Sequence, residues 1–182
     1  NNMNPYHARS LYQEVGSRGI LINSPALPLT SEELDRIYQL PYTRQAHPKY
    51  KKEIPALKVV EHSITSHRGC YGGCSFCSLY LHQGKIIQER TSESIIKEIN
   101  QLAEIYGKKI VITDVGGPSA NMYGTFCQNK NAEKKCKKRS CVQPKLCRHL
   151  NHNSSRYLKL LKKIKNMARV KQVFINSGIR CD

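Results

Sequence analysis

Apolar positions change their rhythm near residue 57 of this 182-residue chain. Before that point the pattern is the least periodic in the sequence. Thr30 and Glu33 have capping-box spacing ahead of LDRIYQL, which predicts a short helix stopped by Pro41. Pro48 and Pro55 then break the chain into extended pieces. From Leu57 the pattern becomes regular. LKVVEHSIT predicts a strand that enters a cysteine-bearing loop. In TSESIIKEINQLAEIYG, Ile95, Ile99, Leu102 and Tyr106 recur at helical spacing; Thr91 or Ser92 can cap the start, and Gly107 suits a left-handed end. KKIVITDV predicts a second strand, apolar on both faces of its middle. A polar, cysteine-rich stretch runs from Gly116 to about Asn153. SSRYLKLLKKIKNMARV then predicts an amphipathic helix with Leu158, Leu161, Ile164 and Met167 on one side, and KQVFINSG a third strand.

Strands alternating with helices predict an α/β fold with parallel pairing and right-handed crossovers, covered on both faces. In such folds functional loops lie beyond the C-terminal ends of the strands. Three loops then share one rim: the loop at Cys70, Gly116-Gly117-Pro118, and Ser177-Gly178-Ile179-Arg180. Three strands cannot close a barrel, and the third leaves an apolar edge. The chain starts at Asn1 and stops at Asp182 directly after an apolar run. Both ends are therefore expected to be cut, and residues 1–56 to be an N-terminal extension or the tail of an upstream domain.

Composition sharpens the picture. The length supports an ordinary core without disulfides. No stretch approaches a membrane helix, and the start has no apolar leader segment, which fits a cytoplasmic protein without a membrane partner. Lys and Arg number 30 against 13 Asp and Glu, a formal +17. Such an excess either solvates the surface or draws polyanions such as RNA. Eight cysteines in a chain of this kind point to metal or redox use before disulfides. Cys70, Cys74 and Cys77 are tightly spaced; Cys127, Cys136, Cys141 and Cys147 form a looser group; Cys181 stands alone.

HRGCYGGCSFC carries C-x3-C-x2-C spacing. Three thiolates within eight residues leave one iron of a cubane without a protein ligand, and that iron can chelate a small molecule. Gly69, Gly72 and Gly73 permit the backbone to curl closely around a cluster. Other readings stay open at this point. The same spacing marks one helix face, although three glycines make a helix costly there. Cys74 and Cys77 alone have the spacing of a redox pair that opens a helix. Three cysteines with His67 can hold zinc.

C-x3-C-x-aromatic-C at the end of a first strand resembles the signature of the radical S-adenosylmethionine (SAM) superfamily. SHRGCYGGCSFC, DVGGPSANMYG, the four-cysteine insertion and SGIRCD are similar to the YgiQ-like family within it. The resemblance implies a partial (β/α) barrel of radical SAM type over residues 57–182, holding the first three strands and a Cys-rich insertion at about 118–153. It implies that Cys70, Cys74 and Cys77 ligate a [4Fe–4S] cluster, that the free iron binds S-adenosylmethionine, and that one electron cleaves it to start radical chemistry. Phe76 would lie near the adenine, or else be a plain core contact. Gly116 and Gly117 would face the methionine part. Pro118 stands where many members carry an acidic residue, so Asp114 or Ser119 is expected to supply the amine contact. A flavodoxin- or ferredoxin-type electron donor is implied as a partner. RNA or another macromolecule is the expected substrate on charge grounds, with His67 and Arg180 near the rim as substrate contacts or structural partners. The catalytic side chains and the reaction are not selected by the sequence.

The insertion is a candidate second metal site. Four thiolates suit closed tetrahedral zinc or a second iron–sulfur cluster, with His149 and His152 as substitutes for one cysteine; two disulfides are the structural alternative. Lys134, Lys135, Lys137, Lys138 and Arg139 crowd these ligands, as a solvated face or a polyanion site. A contrasting reading of the whole chain is a non-catalytic zinc-binding module with a basic nucleic-acid-binding surface.

Overall fold

A computed structural model of the chain describes residues 3–107 and 109–181. Lys108, the first residue of the predicted second strand, and Asp182 lie outside the described residues. The N-terminal part holds an antiparallel hairpin, β1 (Leu11–Val15) and β2 (Arg18–Ile22), then helix α1 (Ser31–Tyr38). The hairpin is a finding the sequence reading did not anticipate. Leu11, Tyr12, Val15, Ile20, Leu21 and Ile22 are all exposed, so no buried face imposes a period of two. Helix α1 begins as expected: the Thr30 side chain accepts from the Glu33 amide at 3.2 Å, and the Thr30 amide donates to the Glu33 carboxylate at 2.9 Å.

Helix α2 (Pro55–Val60) replaces the first half of the predicted strand 57–65; only β3 (Ser63–Thr65) is extended. Pro55 sits in the first helical turn, where its fixed φ favours helix and its missing donor costs nothing. Two-residue β4 (His67–Arg68) leads into the cysteine loop, which ends at α3 (Leu79–His82), and β4 pairs with β5 (Gln88–Glu89). Helix α4 (Ser92–Ile105) matches its prediction: Thr91 caps it, and Gly107 takes φ +61 just past its end. The second strand is divided into β6 (Ile110–Ile112) and β7 (Asp114–Gly116).

The insertion contains a 3-10 turn at Ala120–Met122, β8 (Phe126–Cys127), α5 (Lys130–Lys135) and β9 (Leu150–Asn151). Helix α6 (Ser155–Lys165) and β10 (Val170–Val173) complete the described chain. The buried face of α6 is Tyr157, Leu160 and Ile164; of the expected stripe, Ile164 is buried and Leu161 and Met167 pack at the core's border, while Leu158 is exposed. Tyr157 takes the inner position because its hydroxyl donates to the Val115 carbonyl at 2.6 Å, which satisfies it inside the core.

Parallel pairing is present in two staggered halves. β3 pairs with β7 and β10 pairs with β6, so the run 110–116 lies between the first and third strands. No barrel closes among the described residues. The core fills the space between these strands and helices α4 and α6. Ile64, Ile95, Ile99, Leu102, Ile112, Val115, Leu160 and Ile164 are almost wholly buried there, each contributing about 1.5–3 kcal/mol by area.

Under this framework lies a buried charge. Arg90 is fully buried, ion-paired to Glu98, and donates to the Thr65 carbonyl at 3.0 Å. Its guanidinium also lies 4.2 Å from the Tyr38 ring centroid. Glu98 is further paired to Arg44 at 2.5 Å. The pair fixes the end of β3, one turn of chain before the cysteine loop.

Candidate functional site

The loop from Gly69 to Ser78 contains no helix. Its three cysteines therefore do not form a helical stripe. Cys77 precedes α3 by two residues, and the Cys77 amide donates to the Cys74 carbonyl at 3.2 Å, which closes a turn between them. Each glycine answers a close approach. A Cβ on Gly69 (φ +91) would come 2.2 Å from the Ile86 carbonyl oxygen, and one on Gly73 (φ +60) would come 2.9 Å from that of Arg139. A Cβ on Gly72 would stand 2.9 Å from the Arg180 guanidinium and 3.4 Å from the Cys70 Sγ. At Gly69 and Gly73, where φ is positive and the obstacle is backbone, no larger residue fits without moving the loop.

The three thiols sit among donors. The Gly72 amide donates to the Cys70 Sγ at 3.4 Å, the Leu79 amide to the Cys77 Sγ at 3.5 Å, and Arg180 Nη1 to the Cys74 Sγ at 3.6 Å. Burial pushes the Cys70 thiol up, against the Gly72 amide and the Arg180 charge. Charge on Cys74 and Cys77 also acts on Cys70, which records their proximity. The donor set and the glycine cradle fit an iron–sulfur cluster: sulfur ligands with amide and cation donors are what such clusters take.

Arg180 reaches this loop because the three rim loops are tied together. The Asn121 side chain donates to the Arg180 carbonyl at 2.8 Å and accepts from its amide at 3.0 Å. The Ala120 amide donates to the Gly178 carbonyl at 2.8 Å. Asp114 accepts from the amides of Asn176 (2.9 Å) and Ser177 (3.0 Å) and from the Ser177 hydroxyl. Its carboxylate is thus engaged in holding the third loop. Asn121 was missed in the sequence reading; its string, ANMYG, supplied family likeness but no indication of a clamp.

Other expected residues fall differently. Phe76 is 91% exposed, so it is no core contact. Gly116 and Gly117 are required by protein packing: a Cβ would come 2.4 Å from the Ser177 hydroxyl or 2.7 Å from the His67 carbonyl oxygen. His67 is wholly buried beneath Gly117, with Nδ1 3.0 Å from the Ser66 hydroxyl and Nε2 unpartnered. Burial pushes its pKa down to about 4, so the ring is neutral. It is not at the exposed rim. Cys181 is exposed.

All eight cysteines are free thiols, so the two-disulfide alternative for the insertion is not adopted. Cys127, Cys136, Cys141 and Cys147 line one cavity of about 1220 Å³ with Lys85 and His149. His152 is exposed and does not line it. Lys85 Nζ lies 3.0 Å from the Cys136 Sγ and donates to the Lys138 carbonyl at 2.8 Å. Burial works against a Cys136 thiolate, but Lys85 and the Lys138 backbone outweigh it and bring the thiol below its ordinary value. Burial drives the Cys141 thiol up to about 11, with Lys85 opposing and the charges of Cys147, Cys136 and Cys127 adding to it. The lysines of the run are themselves exposed. Arg139 at its end differs: its guanidinium lies over Tyr80 and donates to the Cys74 carbonyl at 3.3 Å. Among the described residues, no three or more His, Cys, Asp or Glu side chains are gathered to hold one metal ion. No described helix is long and apolar enough to cross a membrane.

The three-thiol loop follows β3, which pairs in parallel with β7, and comparison with known proteins identifies the class of protein to which the chain belongs. The family model described as "Radical SAM N-terminal" matches residues 1–63. The UPF0313 protein of Methanocella arvoryzae is 48% identical over 178 residues, covering 98% of this chain and 30% of the relative. Those of Clostridium botulinum strain Okra (48% over 176 residues; 96% and 27% covered) and Shewanella oneidensis (46% over 181; 98% and 23%) are similar. The chain belongs to the YgiQ-like, UPF0313 family of the radical SAM superfamily. It spans less than a third of the length of these curated relatives.

Proposed function

We propose that this chain carries the cluster-binding loop of a radical SAM enzyme. Cys70, Cys74 and Cys77 would each hold one iron of a [4Fe–4S] cluster, leaving the fourth iron for S-adenosylmethionine. The observation that carries this reading is a non-helical loop, bent at three glycines, with three free thiols that each accept a hydrogen bond. When bound, the cluster supplies the electron that cleaves S-adenosylmethionine.

The chain's own residues bind and orient. Arg180 holds positive charge beside Cys74 and offsets the thiolates. Exposed Phe76, next to Cys77, is free to stack on the adenine. Gly116 and Gly117 bring the second rim loop close to Ser177 and His67, and this loop would contact the methionine part of S-adenosylmethionine. Residues 1–56 read as the end of an upstream domain and 57–182 as the start of the radical SAM core. The formal +17 favours a macromolecular substrate such as RNA, and the family likeness implies a flavodoxin- or ferredoxin-type protein as electron donor.

Full-length protein prepared without oxygen tests the reading. Brown protein with iron and acid-labile sulfide, a reduced-state EPR signal that shifts on adding S-adenosylmethionine, and release of 5′-deoxyadenosine are expected. Colourless protein containing zinc alone would overturn it and favour a zinc module that binds nucleic acid.

A further inference from the structure

The insertion is built as a second site. Its four thiols come from β8 (Cys127), the end of α5 (Cys136), and the loop that follows (Cys141 and Cys147), and all four line the same cavity. The loop is folded back on itself, with the Cys147 amide donating to the Cys141 carbonyl at 2.7 Å. The turn at Cys136 is held from outside the insertion. The Asn4 side-chain amide reaches the carbonyls of Glu133, Lys134 and Cys136 at 2.8, 3.3 and 3.1 Å. Lys85, 3.0 Å from the Cys136 Sγ, supplies positive charge that an assembly of thiolates needs.

We propose that Cys127, Cys136, Cys141 and Cys147 bind a second [4Fe–4S] cluster, ligated by cysteine at every iron. The spacing favours a cubane over zinc: intervals of eight, four and five residues between successive cysteines lack the paired knuckles of a zinc ribbon.

The second site is joined directly to the first. The Cys141 amide donates to the Tyr71 carbonyl at 3.0 Å, and the Ser140 hydroxyl to the Gly72 carbonyl at 2.7 Å. Cys70 and Tyr71 share a small apolar cluster with Val142, and Cys141 and Cys147 pack against it. With no free iron, the second cluster has no corner for S-adenosylmethionine. It secures the insertion against the loop that has one.

Metal and sulfide content of anoxic full-length protein decides the matter, and does so apart from the three-cysteine assignment. The variant C70A/C74A/C77A is expected to keep half of the iron and sulfide, with an EPR signal indifferent to S-adenosylmethionine. The variant C136S/C141S is expected to lose that half and to keep the responsive signal. C127S, at a partly exposed strand, and C77A, each with an unchanged circular dichroism spectrum, give the same division where a multiple variant fails to fold. Zinc in place of the second half of the iron would overturn the proposal. So would complete loss of iron and sulfide from folded C77A.

Discussion

The two cysteine groups lie against one another, yet they draw differently on local and distant support. The three-cysteine loop uses its own backbone, with glycines at the closest approaches, amides turned toward sulfur, and strands β3 and β4 directly before it, and is met from distant sequence by Arg139 and Arg180. The insertion is positioned by side chains reaching in from distant sequence, among them Asn4 and Lys85. Backbone support fixes few thiols in an open loop, which suits a cluster that must admit a small molecule. Side-chain support gathers thiols from separate pieces of chain, which suits a closed centre.

The contrast breaks most completely at Cys77. C77A is expected to abolish 5′-deoxyadenosine formation, as read by chromatography of the quenched reaction, while iron at the insertion remains. Next comes the charge beneath the first loop. E98A leaves Arg90 buried without its carboxylate and should cost about 3–5 kcal/mol. Hydrogen exchange should show the loss in β3 and α4, with β8 and β9 little changed. Equal loss in both regions would erase the distinction between them.

Acid acts on the same side of the comparison. His67 is neutral when folded, with its pKa down at about 4 against an ordinary 6.5. The unfolded chain therefore takes up the proton first, and stability present above about pH 6.5 is lost as pH falls toward 4. The loss approaches roughly 3 kcal/mol. Urea midpoints at several pH values should show it, and H67N should flatten that slope.

Smaller changes sharpen the junction. G73A places a Cβ at φ +60 against Arg139 and Ser140, costing about 1–3 kcal/mol; chelator should then strip iron faster from both groups. The mildest is R180Q, which removes the cation beside Cys74. A cation stabilises the more negative, reduced cluster, so its loss should lower the midpoint potential of the first cluster in a redox titration and leave the second unmoved.

Much of this was legible in the sequence where local chemistry decides. The capping box at Thr30, helix α4 with its Gly107 end, and the loop character of 69–78 follow from short-range rules that tertiary packing did not override. The misreadings share a cause. LKVV was apolar enough for a strand, but Pro55 favours a helical turn there. On α6 Tyr157, with a carbonyl partner inside, and not Leu158 takes the first inward position. The β1–β2 hairpin carries apolar residues on both exposed faces, so periodicity had nothing to report.

By itself the sequence determined which residues can carry the chemistry: two sets of cysteines, their counts, and the glycines that let one set lie in a tight loop. Spacing along the chain is covalent, and glycine's freedom belongs to the residue itself. Only the tertiary structure decided that Arg180 faces Cys74, that His67 is sealed beneath Gly117, that Asp114 is occupied by Ser177, and that the two cysteine sets share one small core. Those relations join residues up to 106 positions apart. They arise from packing and hydrogen bonding across the fold, which no local pattern encodes.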